Sequence, residues 1–312
     1  GDIIIPVKYD DIEKFDGAVA KVVLDGKMGL VADGKEIVPP KYDDINDIAH
    51  APYQVKLGDK WGFISETGKE ITPVKYDAVT AFADGLAGVK LDGKWGYINQ
   101  RGEEVIAPKY DEIKEFSENR AGVKLEGDWG YIDGSGEEVI SPQYDEVGKF
   151  DKGLASVSIN GRWGLIDKNG ELKGKIIYDS IFNNEGMSLI RVDLDGMTGY
   201  INRAGKVIIP VKYEEVINYN DEAVVVRAGK KWGVYDSTGK MAVPVNYEGI
   251  DNLNVYHDDK KGVTTIYVNA TLKNKPVFFS VQAKSQRTVK GEYTYGKWSK
   301  PKAKAKIKSN KK

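Results

Sequence analysis

The chain has 312 residues, of which 41% are hydrophobic and 30% are charged, a balance typical of a globular protein. It contains no cysteine and only two histidines, which excludes a disulfide framework, cysteine zinc sites, thiol catalysis and a histidine-rich metal site. No apolar run approaches the roughly 18 residues that a membrane-spanning helix requires.

The net charge of −1 conceals an uneven distribution along the chain. Residues 287–312 carry ten Lys or Arg against the single acidic residue Glu292, a net charge of +9, which leaves −10 on residues 1–286. The sequence therefore predicts an acidic main body followed by a basic, mostly disordered tail at residues 287–312.

Two short motifs recur along the chain at intervals of 33 to 35 residues, which predicts a tandem-repeat architecture. A Trp-Gly pair, or a degenerate version of it, begins at Met28, Trp61, Trp95, Trp129, Trp163, Thr198 and Trp232. A tyrosine followed by an acidic residue begins at Tyr9, Tyr42, Tyr76, Tyr110, Tyr144, Tyr178, Tyr213 and Tyr247. Because the chain begins at Gly1 within a repeat, we expect the native N-terminus and any targeting segment to lie upstream.

Each unit begins with an alternating segment, which is typical of a strand with one buried face. In the third unit Val89 and Leu91 point one way and Lys90 the other. Asp92-Gly93 follows, and such a pair between alternating segments is the strongest short signal for a β-hairpin. The returning strand carries Trp-Gly-Tyr-Ile at 95–98, so the sequence predicts an antiparallel strand pair in every unit.

The second half of each unit is predicted to contain a further turn, a short third strand and a bent connector. A glycine seven residues after the Trp position, such as Gly102, closes the turn. A proline after the third strand lacks a backbone N–H, so we expect the ladder to end there. Beyond it, apolar residues stand three and six positions after the tyrosine, as Ile113 and Phe116 do after Tyr110. This spacing predicts a 3₁₀-like connector that lines the core between units.

Four segments of the third unit carry a resemblance to a known family: Gly-Lys-Trp-Gly-Tyr-Ile at 93–98, Gly102, Val105-Ile106 and Pro108-Lys109-Tyr110-Asp111. They resemble the WG-repeat family of bacterial proteins, also called KWG repeats, over roughly residues 1–255. The resemblance brings no general enzymatic activity with it. Because family members differ widely in repeat number, it also implies an open array.

We predict an all-β protein built from antiparallel three-stranded meanders. Residues 1–253 are expected to form seven units and an N-terminal half-unit, residues 254–286 a divergent capping hairpin, and residues 287–312 the tail. An open, curved or superhelical array is favoured over a closed β-propeller, because a propeller blade usually has four strands and about 40 or more residues. The sixth unit lacks two apolar anchors, at Asn184 and Thr198, and is expected to be a weak point.

The recurring motifs have both a functional and a structural interpretation. The Trp-Gly pairs could form an aromatic ladder for sugars or bases, but we favour Trp packing between repeats while Gly lets a neighbouring backbone approach. The Tyr–acid pairs could line a ligand site, but we favour a buried ring and a carboxylate that accepts backbone N–H groups in a tight turn. Acidic doublets such as Asp10-Asp11, Asp43-Asp44 and Asp258-Asp259 could bind calcium, although none has the spacing of a known calcium loop.

No nucleophile–base pair, phosphate loop or paired-carboxylate motif is found, so we predict no catalytic residue, cofactor or metal site. The first hypothesis is a non-enzymatic scaffold that binds a protein or glycan along an extended face, at a bacterial envelope, periplasm or surface. The alternative is binding of nucleic acid or another anionic polymer by the tail, with contacts from Lys300, Lys302, Lys304, Lys306 and Lys308. Removal of residues 287–312 separates the two, because scaffold binding should survive it.

Overall fold

The computed structural model describes residues 8–14, 19–46, 51–183, 189–219, 223–236, 238–258, 263–287 and 293–295. Every regular element in these ranges is a β-strand. No helix that could span a membrane occurs among the described residues.

The strands form eight sheets of four strands each, which we number 1 to 8 in chain order. Sheet 1 consists of β1 Asp11–Lys14, β2 Val19–Leu24, β3 Lys27–Ala32 and β4 Lys35–Tyr42, and sheet 2 of β5 Asp44–Ile45, β6 Tyr53–Leu57, β7 Lys60–Ile64 and β8 Glu70–Tyr76. Sheet 3 consists of β9 Ala78–Ala83, β10 Leu86–Leu91, β11 Lys94–Asn99 and β12 Glu104–Tyr110, and sheet 4 of β13 Glu112–Ile113, β14 Arg120–Leu125, β15 Asp128–Asp133 and β16 Glu138–Tyr144. Sheet 5 consists of β17 Glu146–Val147, β18 Leu154–Ile159, β19 Arg162–Asp167 and β20 Leu172–Tyr178, and sheet 6 of β21 Ser180–Phe182, β22 Leu189–Leu194, β23 Met197–Asn202 and β24 Val207–Tyr213. Sheet 7 consists of β25 Glu215–Tyr219, β26 Ala223–Ala228, β27 Lys231–Asp236 and β28 Met241–Tyr247, and sheet 8 of β29 Gly249–Asp258, β30 Val263–Leu272, β31 Lys275–Arg287 and β32 Tyr293–Tyr295.

In every sheet each strand pairs with the strand that follows it in the chain, so each sheet is an antiparallel meander with two edges. None of the sheets closes into a barrel. The predicted all-β architecture of tandem antiparallel meanders is confirmed.

The predicted connector is instead the first strand of the following sheet, so each sheet has four strands rather than three. In sheet 3, β9 pairs with β10, with Val79 opposite Val89 and Phe82 opposite Ala87. A bulge between these two pairs inserts one extra residue, which turns residues three apart toward the same face. The spacing that suggested a 3₁₀ turn therefore arises from a bulged strand. Strand number no longer argues against a ring.

The proline does not end the ladder, which corrects a second expectation. Strand β12 runs through Pro108 to Tyr110, which pairs with Trp95. Between that pair and the pair Tyr97–Ile106 the register shifts, so the proline falls in a bulge. A bulge tolerates proline because its residues leave N–H groups outside the regular ladder.

The chain divides into two compact units, residues 1–160 with 166–171, and residues 161–165 with 172–312. Within each unit the core lies between consecutive sheets. In the first, buried side chains of sheet 3 such as Tyr97 and Ile106 share a cluster with Phe116 and Val123 of sheet 4. In the second, side chains of sheets 7 and 8 share a cluster: Val234, Val243, Ile266 and Val268.

Edge-to-face aromatic pairs join neighbouring sheets of the first unit. The ring centroids are 5.1 Å apart for Phe63–Phe82, 4.9 Å for Tyr97–Phe116 and 4.9 Å for Tyr131–Phe150. Phe82, Phe116 and Phe150 stand six positions after their tyrosines, so the expectation that this position lines the core between units is confirmed for them.

The C-terminal segments form the eighth sheet. Strand β29 begins at Gly249, ahead of residue 254 where the capping hairpin is predicted to start, and β31 continues to Arg287. The short strand Tyr293–Tyr295 pairs with Ser285–Arg287. Residues 296–312, including Lys300, Lys302, Lys304, Lys306 and Lys308, lie outside the described residues.

Removal of residues 110–143 is expected to lower stability without abolishing folding. This deletion removes one period, so Tyr144 takes the place of Tyr110 at the end of sheet 3 and the chain continues directly into sheet 5. In an open array each unit contacts only its neighbours, so loss of one unit leaves the others intact. Far-UV circular dichroism and denaturant titration of the shortened chain would measure this. Complete loss of the β signal would favour a closed ring instead.

Candidate functional site

The two recurring motifs meet as cross-strand partners on the third and fourth strands of sheets 1 to 4, 6 and 7. Trp95 lies opposite Tyr110 in sheet 3, and Trp129 lies opposite Tyr144 in sheet 4. The same pairing occurs at Met28–Tyr42, Trp61–Tyr76, Thr198–Tyr213 and Trp232–Tyr247. The two motifs therefore belong to one structural feature, a cross-strand pair within a sheet.

The glycine of each Trp-Gly pair lies against the bulged backbone of the fourth strand. A Cβ atom at Gly96 would lie 2.3 Å from the Ile106 carbonyl oxygen and 2.7 Å from the Pro108 nitrogen. At Gly130 the corresponding distances, to Ile140 and Pro142, are 2.4 and 2.7 Å. The prediction that this glycine permits close approach of a neighbouring backbone is confirmed, and the neighbour is a strand of the same sheet.

The tryptophan rings in the described part of the chain are buried or half-buried, and a basic side chain covers several of them. Trp129 is 3% exposed, with Lys114 Nζ 4.9 Å from its ring centroid. Trp95 and Trp232 are half-buried and pack against the clusters shared by neighbouring sheets. Basic groups also lie over other rings: Lys56 over Trp61, Lys90 over Trp95, and Arg227 over Trp232. These contacts support the structural interpretation over a ligand ladder, because the rings already have partners.

The acidic residue of each Tyr–acid pair directly precedes the first strand of a sheet, and we call these residues the junction acids: Asp10, Asp43, Asp77, Asp111, Asp145, Asp179, Glu214 and Glu248. Asp43 accepts the Gly58 N–H at 2.6 Å, and Asp111 accepts the Glu126 N–H at 3.0 Å. Both donors belong to the turn between the second and third strands of the following sheet. The predicted carboxylate–turn contact is confirmed, but the turn belongs to the next unit.

A second contact ties several junction acids to the preceding sheet. Lys60 Nζ donates to Asp77 at 2.5 Å, and Lys94 donates to Asp111 in the same way. The basic residue directly precedes the tryptophan, so the Lys of Gly-Lys-Trp-Gly links one sheet to the turn of the next. The sequence shows this lysine in most units, but its partner is 17 residues away in the chain and cannot be identified from periodicity alone.

Three of the junction acids have lowered pKa values because of these contacts. The hydrogen bond from the neighbouring lysine lowers the pKa of Asp43, Asp77 and Asp111 below 3.8, and the turn N–H lowers it further. A carboxyl whose pKa is lowered by folding stabilises the fold above its unfolded pKa and loses that contribution as pH falls.

The variant Asp43→Asn/Asp77→Asn/Asp111→Asn is therefore expected to be less stable than the wild type at neutral pH and to lose less stability on acidification. The difference between the two proteins should shrink as pH falls below 3.8. Urea unfolding across this range would measure it. Exposed acids outside the junctions, in Glu66→Gln/Glu70→Gln/Glu104→Gln, provide the matched control. A constant difference at every pH would contradict the prediction.

The glycine in the turn between the third and fourth strands has a role that the sequence did not reveal. It has a positive φ, 78° at Gly102, and a Cβ there would lie 2.4 Å from the Ile71 carbonyl oxygen of the preceding sheet. At Gly68 the same distance, to Ile37, is 2.1 Å. This glycine thus allows both the turn and the close packing of adjacent sheets.

The sixth sheet replaces the indole with a polar cluster. Thr198 is buried, and its hydroxyl donates to Asp193 Oδ1 at 2.7 Å. Ser180 donates to Asp193 Oδ2 at 3.0 Å, and Arg191 Nε lies 3.2 Å from Asp193 Oδ1. Asn184 lies outside the described residues. A half-buried polar cluster thus takes the position that apolar packing fills elsewhere.

Amide exchange is expected to be fastest between Tyr178 and Thr198 when the sheets are compared. Fewer buried apolar contacts lower the free energy of local opening. Hydrogen exchange followed by mass spectrometry would measure this, with the equivalent segment Tyr110–Trp129 as the internal control. Equal protection of the two segments would show that the polar cluster compensates fully.

Acidic doublets do not gather into a metal site in the part of the chain that the structure describes. No group of three or more His, Asp or Glu there could hold a metal ion. Asp10 accepts the Asp25 N–H at 2.7 Å, and Asp11 accepts the Ile12 N–H at 2.8 Å. Asp259 lies outside the described residues.

Comparison with known proteins gives one family and several distant structures. A family model described as WG containing repeat matches residues 1–27, 32–61, 61–95, 95–127, 129–163, 163–196, 199–232 and 232–254. No curated protein matches the chain.

Three solved structures resemble it at low identity. A eukaryotic initiation factor is 10% identical, with 88% of this chain and 93% of that chain covered and a TM-score of 0.42. The extracellular domain of a putative hybrid two-component system from B. thetaiotaomicron is 11% identical, with 92% and 50% covered and a TM-score of 0.28. BBS1N in complex with ARL6DN is 12% identical, with 86% and 92% covered and a TM-score of 0.22. Scores this low carry no functional argument.

Proposed function

The chain belongs to the WG containing repeat family, and on that premise we propose that it is a non-enzymatic scaffold that binds a protein or glycan partner along an extended face. The motif residues that recur in every unit are engaged in contacts within and between sheets. They therefore build a framework, and recognition is left to the exposed positions that differ from unit to unit. A bacterial envelope, periplasm or surface is the proposed location, in keeping with the family resemblance.

The observation that carries this proposal is a regular set of exposed hairpin turns, which we call the hairpin row. In the first compact unit it comprises residues 25–26, 58–59, 92–93 and 126–127, all exposed. Each of these turns receives a junction carboxylate on a backbone N–H, from Asp10, Asp43, Asp77 and Asp111. The second unit repeats the arrangement at residues 195–196, 229–230 and 273–274.

The hairpin row combines a fixed backbone with one acidic side chain in each first-unit turn. These turns read Asp-Gly, Gly-Asp, Asp-Gly and Glu-Gly, so the charge is at the first position in three of them and at the second position in residues 58–59. Turns held in place lose little conformational entropy when a partner binds, which favours affinity. A partner lying along several turns could read both their spacing and their charges.

Removal of charge from the hairpin row tests the proposal. The full chain, immobilised, would be compared with Asp59→Asn/Asp92→Asn/Glu126→Gln for capture of proteins and glycans from a bacterial envelope extract, scored by mass spectrometry. The row variant should lose the specific ligand. The variant Glu66→Gln/Glu70→Gln/Glu104→Gln removes the same charge elsewhere and should keep it. Equal capture by both variants, or turnover of the captured ligand, would contradict a scaffold that binds through this row.

Polyanion binding by the tail is the second candidate function, favoured by the ten basic residues against one acidic residue in residues 287–312. Binding through Lys300, Lys302, Lys304, Lys306 and Lys308 would release counterions, so affinity for anionic polymer should fall steeply with salt. Truncation of residues 287–312 should abolish that binding and leave capture by the hairpin row intact. Salt-insensitive binding would contradict this function.

A further inference from the structure

Sheet 8 differs from the other sheets in having one uncovered face. In sheet 4 the consecutive residues Trp129–Ile132 are all buried, so both faces of strand β15 are covered. In sheet 8 Ile266 and Val268 are fully buried against sheet 7, whereas Tyr267 between them is 47% exposed. One face of β30 therefore packs in the core, and the other is partly open to solvent, since Tyr267 is exposed and Thr265 is buried.

Three aromatic side chains lie on this open face. Tyr256, Tyr267 and Phe278 are 60%, 47% and 63% exposed, and Phe278 and Tyr256 are the most exposed large hydrophobic residues in the described chain. The register places Tyr267 in the middle, opposite Asn254 on β29 and Ser280 on β31. Tyr256 and Phe278 lie opposite Thr265 and Asn269, on either side of it along β30.

This register sets the three rings in a diagonal row across three strands. Side chains directly opposite one another in adjacent strands share a face, so the three rings lie on one face with Asn254, Asn269 and Ser280. Thr265, opposite Tyr256, lies on the same face but is only 5% exposed. Diagonal neighbours in an antiparallel sheet are about 7–8 Å apart. The three rings are therefore successive diagonal neighbours on one face of the sheet.

The residues between the rings are polar and uncharged. We call the surface formed by Asn254, Tyr256, Tyr267, Asn269, Phe278 and Ser280 the terminal face. It carries no ionisable group other than the two phenols, in a chain of which 30% is charged. The nearby Asp251 carboxylate accepts the Thr271 hydroxyl at 2.8 Å.

This composition is unusual for an exposed sheet face of a repeat array, because such a face is normally polar and keeps the array soluble. An exposed group of aromatic residues with a polar rim marks an interaction site instead.

The chemistry of the terminal face points to one class of ligand. Aromatic rings stack against the C–H faces of pyranose sugars, because the electron-rich ring attracts the weakly positive hydrogens. The Asn amides and the Ser hydroxyl can both donate and accept hydrogen bonds, as sugar hydroxyls do. The lack of carboxylates and ammonium groups favours a neutral ligand over a charged one.

The size of the terminal face favours a glycan over a protein. Three strands about 4.8 Å apart, over about six residues of strand, give roughly 300 Å² of surface. A stable protein interface needs about 800 Å² on each partner. We propose that the terminal face binds a neutral polysaccharide chain, which lies across β29, β30 and β31. This inference rests on the proposed function, because it assigns a glycan and a surface to the scaffold.

Binding of defined neutral glycans tests the inference. Isothermal titration calorimetry of the full chain with cellohexaose, chitohexaose and laminarihexaose should detect binding of at least one of them. Removal of a single ring should weaken binding about 3- to 10-fold, and Tyr256→Ala/Tyr267→Ala/Phe278→Ala should abolish measurable binding. Tyr267→Phe keeps the ring and should bind within about threefold of the wild type. Leu172→Ala/Val207→Ala/Met241→Ala removes three exposed apolar side chains elsewhere and should bind normally.

Three outcomes would overturn the inference. These are no binding of any neutral hexasaccharide, undiminished binding by a folded triple-alanine variant, and concentration-dependent dimerisation that the triple-alanine variant abolishes, which would make the face a contact between two copies. Failure of this inference is distinguishable from failure of the scaffold proposal. The hairpin-row variant Asp59→Asn/Asp92→Asn/Glu126→Gln should keep its glycan binding, and the triple-alanine variant should keep capture by the hairpin row.

Discussion

Substitution Trp129→Ala is expected to lower the free energy of unfolding by about 3–5 kcal/mol. Trp129 is the most buried of the described tryptophans, with 3% of its surface exposed, and its ring packs under the Lys114 and Lys124 side chains. Its indole Nε1 has no hydrogen-bond partner, so its contribution comes from packing. Loss of the ring would leave a cavity that surrounding backbone strands cannot fill.

Urea unfolding monitored by circular dichroism would measure this loss. Trp61→Ala provides a matched control, because Trp61 has the same place in its sheet but is only half-buried. Its substitution should therefore lower the free energy of unfolding by less. Trp129→Phe should recover part of the stability. Unchanged stability of Trp129→Ala together with loss of ligand binding would instead assign the tryptophans a binding role.

Substitution Gly130→Ala is expected to cost about 3 kcal/mol, a large effect for one methyl group. The added Cβ would lie 2.4 Å from the Ile140 carbonyl oxygen and 2.7 Å from the Pro142 nitrogen. Both are backbone atoms of the bulged strand β16, so no side-chain rotation relieves the overlap. The bulge would have to move, and with it the Trp129–Tyr144 pair that lies beside it.

Gly249→Ala is the control for this substitution. A Cβ at Gly249 would have only Asp251 Oδ1 within 4 Å, at 3.6 Å, which is an ordinary contact, and its φ is not positive. Its stability should therefore stay within about 0.5 kcal/mol of the wild type. A small effect at Gly130, comparable to that at Gly249, would show that the bulge yields easily and that close packing is not why glycine follows tryptophan.

Alternating residues and turn pairs were sufficient to predict the second and third strands of the repeated sheets and the hairpin between them, but not the first strand. Val89 and Leu91 alternate with Lys90 because β10 lies within a sheet, and Asp92 has the positive φ that a tight hairpin requires. The position within the repeat at which one sheet ends and the next begins was not predictable in the same way. Periodicity fixes the length of a repeat but not where one sheet ends, and Ile113 finds its strand partner in the unit that follows it.

The contacts between sheets were only partly predictable. Burial of Tyr110 follows from its apolar surroundings, but the bond from Lys94 to Asp111 depends on how two sheets meet. The terminal face was less predictable still. The sequence predicts a capping hairpin at residues 254–286 but does not show that Tyr267 and Phe278 share an exposed face.

Each sheet is a continuous stretch of chain, and this has a consequence for synthesis on the ribosome. At about 5–20 residues per second, one sheet of some 34 residues emerges in roughly 2–7 seconds. Hairpins form in about 1–10 microseconds, so each sheet can be complete before the next has left the exit tunnel. Every sheet in turn is then the most recently emerged part of the nascent chain, and one of its apolar faces stays exposed until the following sheet covers it. A pause in translation would prolong that exposure, so codon usage just after each junction acid is where selection against aggregation would act.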